Sequence, residues 1–132
     1  MPKLECKYDF SYSGIKTAVI NINHKTKDLN KADLCASFQK VATEMLTKKT
    51  FEAAEELGLD KIVLAGGVAA NSYIREQFEI IGKEREKEIY LPELKYCTDN
   101  AAMIASAGYY NYLAENISGL ELNAVSNLRI GG

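Results

Sequence analysis

Residues 65–75 read AGGVAANSYIR, a glycine pair set between a short apolar run and a helical pattern. Glycines at the end of a strand can adopt a positive φ and expose backbone amides beside the positive end of the next helix, where a phosphate or nucleotide binds. A glycine pair is equally typical of a tight strand-to-helix turn without a ligand. The stretch therefore raises one question: what comes so close to Gly66 and Gly67 that a side chain is not tolerated?

A polar side chain follows this turn. Asn71 falls on the first turn of the predicted helix, and its amide can both donate to and accept from a sugar or a base. In open parallel sheets, ligands bind beyond the carboxyl ends of the strands, which is where Gly66, Gly67 and Asn71 are expected. The alternative is a tight turn in which Asn71 is merely exposed.

The segments around the turn predict an α/β unit. Residues 61–65, KIVLA, form a continuous apolar run of strand length, the pattern of a parallel strand buried on both faces. After the turn, Ile74, Phe78 and Ile81 lie on one face of a helix. Residues 89–92, IYLP, then read as a second strand ended by proline. Because the connections are short, we expect parallel neighbouring strands with a right-handed crossover.

Upstream, two helices are predicted. Residues 8–12, YDFSY, alternate aromatic and polar side chains and predict a short strand, after which Ser13 can cap a helix that ends near His24. A longer helix then runs to about Leu57, with Gly58 as its natural stop. The apolar stripe of this longer helix consists of Leu34, Phe38, Val41 and Met45.

Residues 99–115, DNAAMIASAGYYNYLAE, are apolar or small nearly all round, which predicts a helix enclosed by protein on most sides. Thr98, Asp99 and Asn100 stand at its start, and local sequence favours capping by Thr98 or Asp99. The functional alternative is that Asp99 gives its carboxylate to a metal or a substrate in the same crevice as Gly67, since both follow strands of one sheet. Asp99 alone cannot hold a metal.

Composition bounds the possible functions. At 132 residues the chain has the length of one domain. It has no uninterrupted apolar run of the roughly 20 residues that a membrane span requires, so we expect a soluble protein. The net charge of −2 provides no global positive field for nucleic acid. The three cysteines, Cys6, Cys35 and Cys97, fit neither a disulfide framework nor a zinc knuckle, which favours a reducing compartment.

Other short motifs in the sequence match known ligand-binding or catalytic patterns only in part. The stretch SGIKT lacks the spacing of a phosphate-binding P-loop, and AGGVAA lacks the G-x-G-x-x-G spacing of a dinucleotide fold. His24 is the only histidine and falls in a polar connector, where a surface role is expected. A nucleophilic pair of Cys97 with His24 is conceivable, but no orienting partner is indicated. The sequence identifies no catalytic residue.

Three stretches together carry a specific resemblance: DFSYSGIKTAV, AGGVAANSYIR and YCTDNAAMIASAGYY, which span residues 9–110. They resemble the tRNA threonylcarbamoyladenosine transferase family, called TsaD in bacteria and formerly glycoprotease, in the family's own order. The resemblance implies an α/β fold that forms part of the second lobe of an actin-like and Hsp70-like (ASKHA, ribonuclease H-like) architecture, helix-rich with a small, mostly parallel sheet. It also implies transfer of a threonylcarbamoyl group from its adenylate to the exocyclic amine of an adenosine beside the tRNA anticodon.

The resemblance assigns roles to individual residues. Asn71 matches the family's asparagine that contacts the nucleotide part of the ligand, an adenylate or ATP, with Gly66 and Gly67 forming the adjoining turn. Asp99 matches its aspartate ligand to an iron or zinc ion. The other two protein ligands in the family are histidines of an H-x-x-x-H pair far upstream, and nothing in this chain corresponds to them.

This difference suggests that residues 1–132 are the carboxyl-terminal lobe fragment of a longer protein whose amino-terminal lobe is absent here. One carboxylate leaves metal affinity too low for a stable site, so we expect this chain to bind no metal and to be inactive alone. Apolar faces that would meet the missing lobe should cause self-association.

The implied partners of the complete enzyme are tRNA, threonylcarbamoyl-adenylate and TsaB-like and TsaE-like helper proteins, in the cytoplasm and without a membrane. Two other hypotheses remain open. One is a nucleotide-binding module of another actin-like protein of the sugar-kinase type. The other is the older glycoprotease or metallopeptidase label.

Overall fold

The structure is a computed structural model, and it describes residues 7–125. The elements follow in the order α1 (Ser13–Lys25), α2 (Lys31–Glu56), β1 (Lys61–Val63), a 3-10 turn (Gly67–Ala70), α3 (Ser72–Glu84), β2 (Glu88–Tyr90), a second 3-10 turn (Leu94–Tyr96) and α4 (Ala101–Leu113). Contacts divide the chain into two compact units, Met1–Thr98 and Asp99–Gly132. The fold class is α/β, helix-rich with a small parallel sheet, as predicted.

The two strands of the first unit form the predicted parallel pair. Ile62 of β1 is in register with Ile89 of β2, and the ladder continues as the Leu64 N–H donates to the Tyr90 carbonyl at 3.0 Å. The expectation that β1 is buried on both faces is wrong. Ile62 is buried, but the Val63 side chain is 71% exposed, because no described element covers that face of the strand.

The core of the first unit lies between α2, α3 and the sheet. It consists of Phe51, Ala54, Ile62, Ile74 and Phe78. The Phe51 and Phe78 rings pack at 5.7 Å between centroids, which joins α2 to α3. Ile81 packs against this cluster, so the predicted apolar face of α3 is confirmed. Full burial of a phenylalanine or isoleucine side chain stabilises the folded state by about 1.5–3 kcal/mol relative to leaving it exposed.

Helix α2 buries a different face from the one that its sequence predicts. Its buried side chains are Thr43, Thr47, Phe51 and Ala54. The stripe of Leu34, Phe38, Val41 and Met45 contains none of them, so the predicted helix is confirmed while its buried face is a different one. The packing partners of α2 in the core meet its carboxyl-terminal half. There the Thr47 hydroxyl donates a hydrogen bond to the Thr43 carbonyl at 2.9 Å. This bond allows a polar side chain on a buried face.

The end of α2 confirms the predicted stop. Gly58 has φ 64°, and its N–H donates to the Glu55 carbonyl at 3.2 Å while the Leu59 N–H donates to the Ala54 carbonyl at 2.8 Å. These two bonds form a Schellman motif, which satisfies carbonyls that the helix leaves unpaired. At the other end, the Asn30 side chain caps the helix by accepting from the Ala32 N–H at 3.0 Å.

The amino-terminal predictions are partly wrong. Residues 8–12 contain no strand, because a strand needs a neighbouring strand and none of the described residues forms a strand ladder with them. Ser13 is not a cap: Tyr12 occupies the N-cap position, and the Ser13 hydroxyl lies 2.9 Å from that of Ser11. Glu56 anchors the segment by accepting from Lys7 and Tyr8, and these hydrogen bonds lower the pKa of its carboxyl.

In the second unit, α4 differs from its prediction in two ways. Its cap is Asn100, whose side chain accepts from the Met103 N–H at 2.9 Å, so capping by Thr98 or Asp99 is wrong. The helix is also exposed along its whole length, with Tyr110 67% exposed, whereas enclosure was expected. The described chain after α4, up to residue 125, forms no helix or strand that could cover it. None of the helices in residues 7–125 combines the length and the hydrophobicity that a membrane span requires.

Replacing Gly82 tests the contact between α3 and β2. A Cβ at this buried position would overlap the Ile89 Cγ1 and lie 2.8 Å from its Cδ1 and 3.2 Å from the Lys87 carbonyl oxygen. We expect Gly82→Ala to lower the free energy of unfolding in urea by about 1–3 kcal/mol through overpacking. The matched control is Gly14→Ala in α1, where a Cβ meets nothing within 4 Å. Equal unfolding midpoints for both variants would contradict this packing.

Candidate functional site

The two glycines of the turn after β1 have different structural needs. Gly66 has φ 86° and ψ 173°, a conformation that is essentially restricted to glycine. Gly67 begins the 3-10 turn outside the left-handed region, and a Cβ built there meets nothing within 4 Å. The backbone conformation therefore requires glycine at 66. At 67, the described atoms of the protein leave room for a side chain.

Asn71 is the N-cap of α3 and is half-buried. Its Oδ1 accepts from the Ile74 N–H at 3.1 Å, and its Nδ2 donates to the Gln39 Oε1 at 3.1 Å. The alternative of a merely exposed Asn71 is wrong. An asparagine amide has two N–H donors and two acceptor lone pairs, so one of each is left for a ligand after these two bonds.

Arg75, one helical turn after Asn71, joins the turn to the chain that follows β2. Its Nη1 donates to the Ala69 carbonyl at 3.0 Å, and its Nη2 donates to the Pro92 carbonyl at 3.0 Å. The same Nη1 lies 4.0 Å from the Sγ of Cys97, which is buried. A planar guanidinium can hold two acceptors in fixed directions. Arg75 therefore fixes the position of the 3-10 turn against the second strand-end loop.

A cavity of about 1120 Å³ opens beside this turn within the first unit. Its walls come from α1, α2, β1 and α3 and are mostly apolar, with Gln39 and Asn71 among the polar residues that line it. Thr43 also lines it, and its Oγ1 is buried without a hydrogen-bond partner among the described residues. Tyr12 also lines it, and burial raises the pKa of its phenol. The cavity thus has a mostly apolar lining that includes the Asn71 side chain.

Asp99 belongs to the second unit, whereas the turn belongs to the first. It is exposed and directly precedes the Asn100 cap of α4. Among residues 7–125, no three His, Cys, Asp or Glu side chains come together as a group that could hold a metal ion. The described residues therefore do not fit a metal site by themselves. The expected crevice shared by Asn71 and Asp99 spans both units and stays a prediction.

A parallel strand, a glycine turn and an asparagine-capped helix define an α/β domain with a candidate ligand turn at the carboxyl end of a strand. The sequence model of the family TsaD, tRNA N6-adenosine threonylcarbamoyltransferase, matches residues 1–106. The chain belongs to this family, as the resemblance implied.

Curated relatives agree with this assignment. The tRNA N6-adenosine threonylcarbamoyltransferase of Thermosipho africanus is 48% identical over 132 residues, covering 98% of this chain and 40% of the relative. The protein of the same name from Clostridium novyi is 44% identical over 127 residues, covering 93% and 37% respectively. That from Carboxydothermus hydrogenoformans is 46% identical over 124 residues, covering 94% and 37%. The chain therefore spans about two fifths of the length of these relatives.

Two residues at the turn, Arg75 and Gln39, are not among the candidates that the sequence predicts. Arg75 lies within the quoted stretch, and its spacing of four residues from Asn71 places both near the same face of α3. That spacing was an available signal. Gln39 lies 32 residues before Asn71 on another helix, so only the packing of α2 against α3 reveals their contact.

The pair Gly66→Ala and Gly67→Ala tests the difference between the two glycines. Gly66→Ala should lower the free energy of unfolding by about 1–3 kcal/mol, because its conformation is strained for any side chain. Gly67→Ala should stay within about 0.5 kcal/mol of the wild type, as is usual for a substitution at an open position. Urea unfolding followed by circular dichroism measures both. A larger loss for Gly67→Ala than for Gly66→Ala would contradict the turn geometry.

Proposed function

We propose that this chain is the carboxyl-terminal part of an enzyme that transfers a threonylcarbamoyl group from threonylcarbamoyl-adenylate to the exocyclic amine of the adenosine next to the tRNA anticodon. The observation that carries the proposal is the family match over residues 1–106, which includes the whole turn from Gly66 to Asn71. The share of 37–40% of the relatives' length supports a part rather than the whole of the enzyme.

In this proposal the turn holds the nucleotide part of the adenylate. The open side of Gly67 lets a ligand approach the backbone, and a Cβ there would occupy that space. The remaining N–H and lone pair of the Asn71 amide can bond to a ribose or a base. This assignment answers the question of the glycine pair: Gly66 serves the backbone conformation, and Gly67 serves the ligand.

We propose Asp99 as one ligand of a divalent iron or zinc ion in the complete enzyme, with the remaining ligands supplied by the rest of the longer protein. A single carboxylate does not retain such an ion. We therefore propose that the chain alone binds no metal and does not catalyse transfer.

The same proposal extends to the fold and the partners of the complete enzyme. The parallel β–turn–α–β unit of residues 61–90 supports a place in the second lobe of an actin-like, ASKHA-type fold. We propose tRNA and TsaB-like and TsaE-like helper proteins as partners of the complete enzyme in the cytoplasm. The names of the relatives favour neither a sugar kinase nor a glycoprotease.

A chimeric enzyme tests this function. The part of the Thermosipho africanus relative that precedes the matched region would be joined to residues 1–132 of this chain, since the two are 48% identical over that region. We expect the chimera to transfer labelled threonylcarbamoyl from its adenylate to unmodified tRNA, and the 132-residue chain alone to transfer none. Within the chimera, Asn71→Ser keeps an oxygen for the cap but loses the amide donor. This variant should lower kcat/KM by about tenfold, the effect of one hydrogen bond of roughly 1.4 kcal/mol.

The matched control is Asn23→Ser on the exposed surface of α1, which should leave activity unchanged. Gly67→Ala should reduce transfer without loss of stability. A folded chimera that transfers nothing while the Thermosipho protein is active would contradict the proposed function. Equal activity of Asn71→Ser and Asn23→Ser would contradict the role of Asn71.

We also propose that the isolated chain self-associates through its exposed apolar surface. The exposed large side chains of α4 are Met103, Ile104, Tyr109, Tyr110, Tyr112 and Leu113. Large exposed apolar side chains grouped on one helix are typical of association sites. We expect light scattering to give a mass above the 14.6 kDa of one chain at high concentration. Ile104→Lys with Tyr110→Lys should restore a monomer, and a monomeric wild type at all concentrations would contradict the proposal.

A further inference from the structure

We propose that Gln39 is a positioning residue that orients the Asn71 amide for the nucleotide. Gln39 belongs to α2, and its Oε1 accepts from the Asn71 Nδ2 at 3.1 Å. The inference rests on the proposed function, because it concerns the amide assigned to ligand contact. It adds a residue that acts through Asn71 without touching the ligand.

Two hydrogen bonds to different atoms determine how the Asn71 amide is oriented. The Ile74 N–H can only donate, so the atom that faces it at 3.1 Å must be the amide oxygen. The amide nitrogen then faces Gln39. With the α3 cap on one end of the amide and Gln39 on the other, the remaining N–H and lone pair have fixed directions.

The position of Gln39 is set by the core rather than by the turn. Phe51, in the carboxyl-terminal half of α2, packs against Phe78 of α3. Gln39 is half-buried and lines the mostly apolar cavity beside Asn71. A hydrogen bond at a site of low polarity is stronger than one in water. The acceptor is therefore held in place before any ligand arrives.

Loss of this acceptor should weaken binding without removing the cap. With Gln39→Met, the Asn71 amide keeps its bond to the Ile74 N–H but can rock about that bond. A single neutral hydrogen bond contributes about 0.5–1.5 kcal/mol, which corresponds to a roughly 2- to 12-fold loss of ligand affinity. A purely structural role of Gln39 predicts lower stability with unchanged intrinsic affinity of the folded protein.

The test uses the 132-residue chain in the Ile104→Lys, Tyr110→Lys background that should keep it monomeric, called wild type here, with AMP as the probe and nuclear magnetic resonance as the readout. Without AMP, we expect the side-chain amide signal of Asn71 to shift in Gln39→Met and to stay near its wild-type position in Gln39→Glu, which retains an acceptor. The matched control is Gln77→Met on α3, another half-buried glutamine, which should leave this signal unchanged. AMP titrations then give the dissociation constants of the wild type, Gln39→Met, Asn71→Ser and the double variant.

The double variant separates positioning from other effects. If Gln39 acts through Asn71, Gln39→Met should weaken AMP binding about 2- to 12-fold in the wild type and not further in the Asn71→Ser background. Equal losses in both backgrounds, or an unchanged Asn71 signal in Gln39→Met, would overturn the inference while leaving the proposed function intact. Wild-type affinity in Asn71→Ser, or no AMP binding by the wild-type chain, would instead contradict the nucleotide contact itself and the inference with it.

Discussion

The contact between Phe51 and Phe78 is the constraint on which the first unit depends. These rings meet at 5.7 Å between centroids and form the centre of the only buried apolar cluster in residues 7–125. The contact joins α2 to α3, and Ile62 connects the same cluster to the sheet. Because a core packs at nearly crystalline density, the two helices have little freedom to slide. This is why Gln39 of α2 can face Asn71 at the start of α3.

Local features of the fold could be predicted from the sequence, whereas long-range burial could not. Gly58 marks the end of α2, and the periodicity of Ile74, Phe78 and Ile81 marks the buried face of α3, because both signals lie within a few residues. The Gln39–Asn71 contact and the choice of buried face on α2 depend on how distant segments pack. No local pattern encodes them.

The wrong predictions of burial for β1 and α4 both expect more cover than the structure shows. Val63 in β1 and the whole of α4 were expected to be covered, and both are exposed in the structure. A continuous apolar run is typical of a strand or helix that other parts of the protein cover on most sides. The chain spans about two fifths of its relatives' length, and under the proposal that it is one part of a longer enzyme these faces would be covered by the rest of that enzyme. Residues 8–12 likewise have a strand pattern but no strand partner among the described residues.

The chemistry of Asn71 combines a structural and a candidate functional role in one side chain. Serine, aspartate and asparagine cap helices about equally well, so the cap alone does not require an amide. Only asparagine among these adds N–H donors, and one of them is held by Gln39 while Oδ1 holds the Ile74 N–H. The cap thus fixes the amide at the carboxyl end of β1, next to a turn whose conformation requires glycine at position 66. A side chain anchored in this way presents its remaining donor and acceptor at little further cost in conformational entropy, which is the condition for tight and specific contact with a small polar ligand.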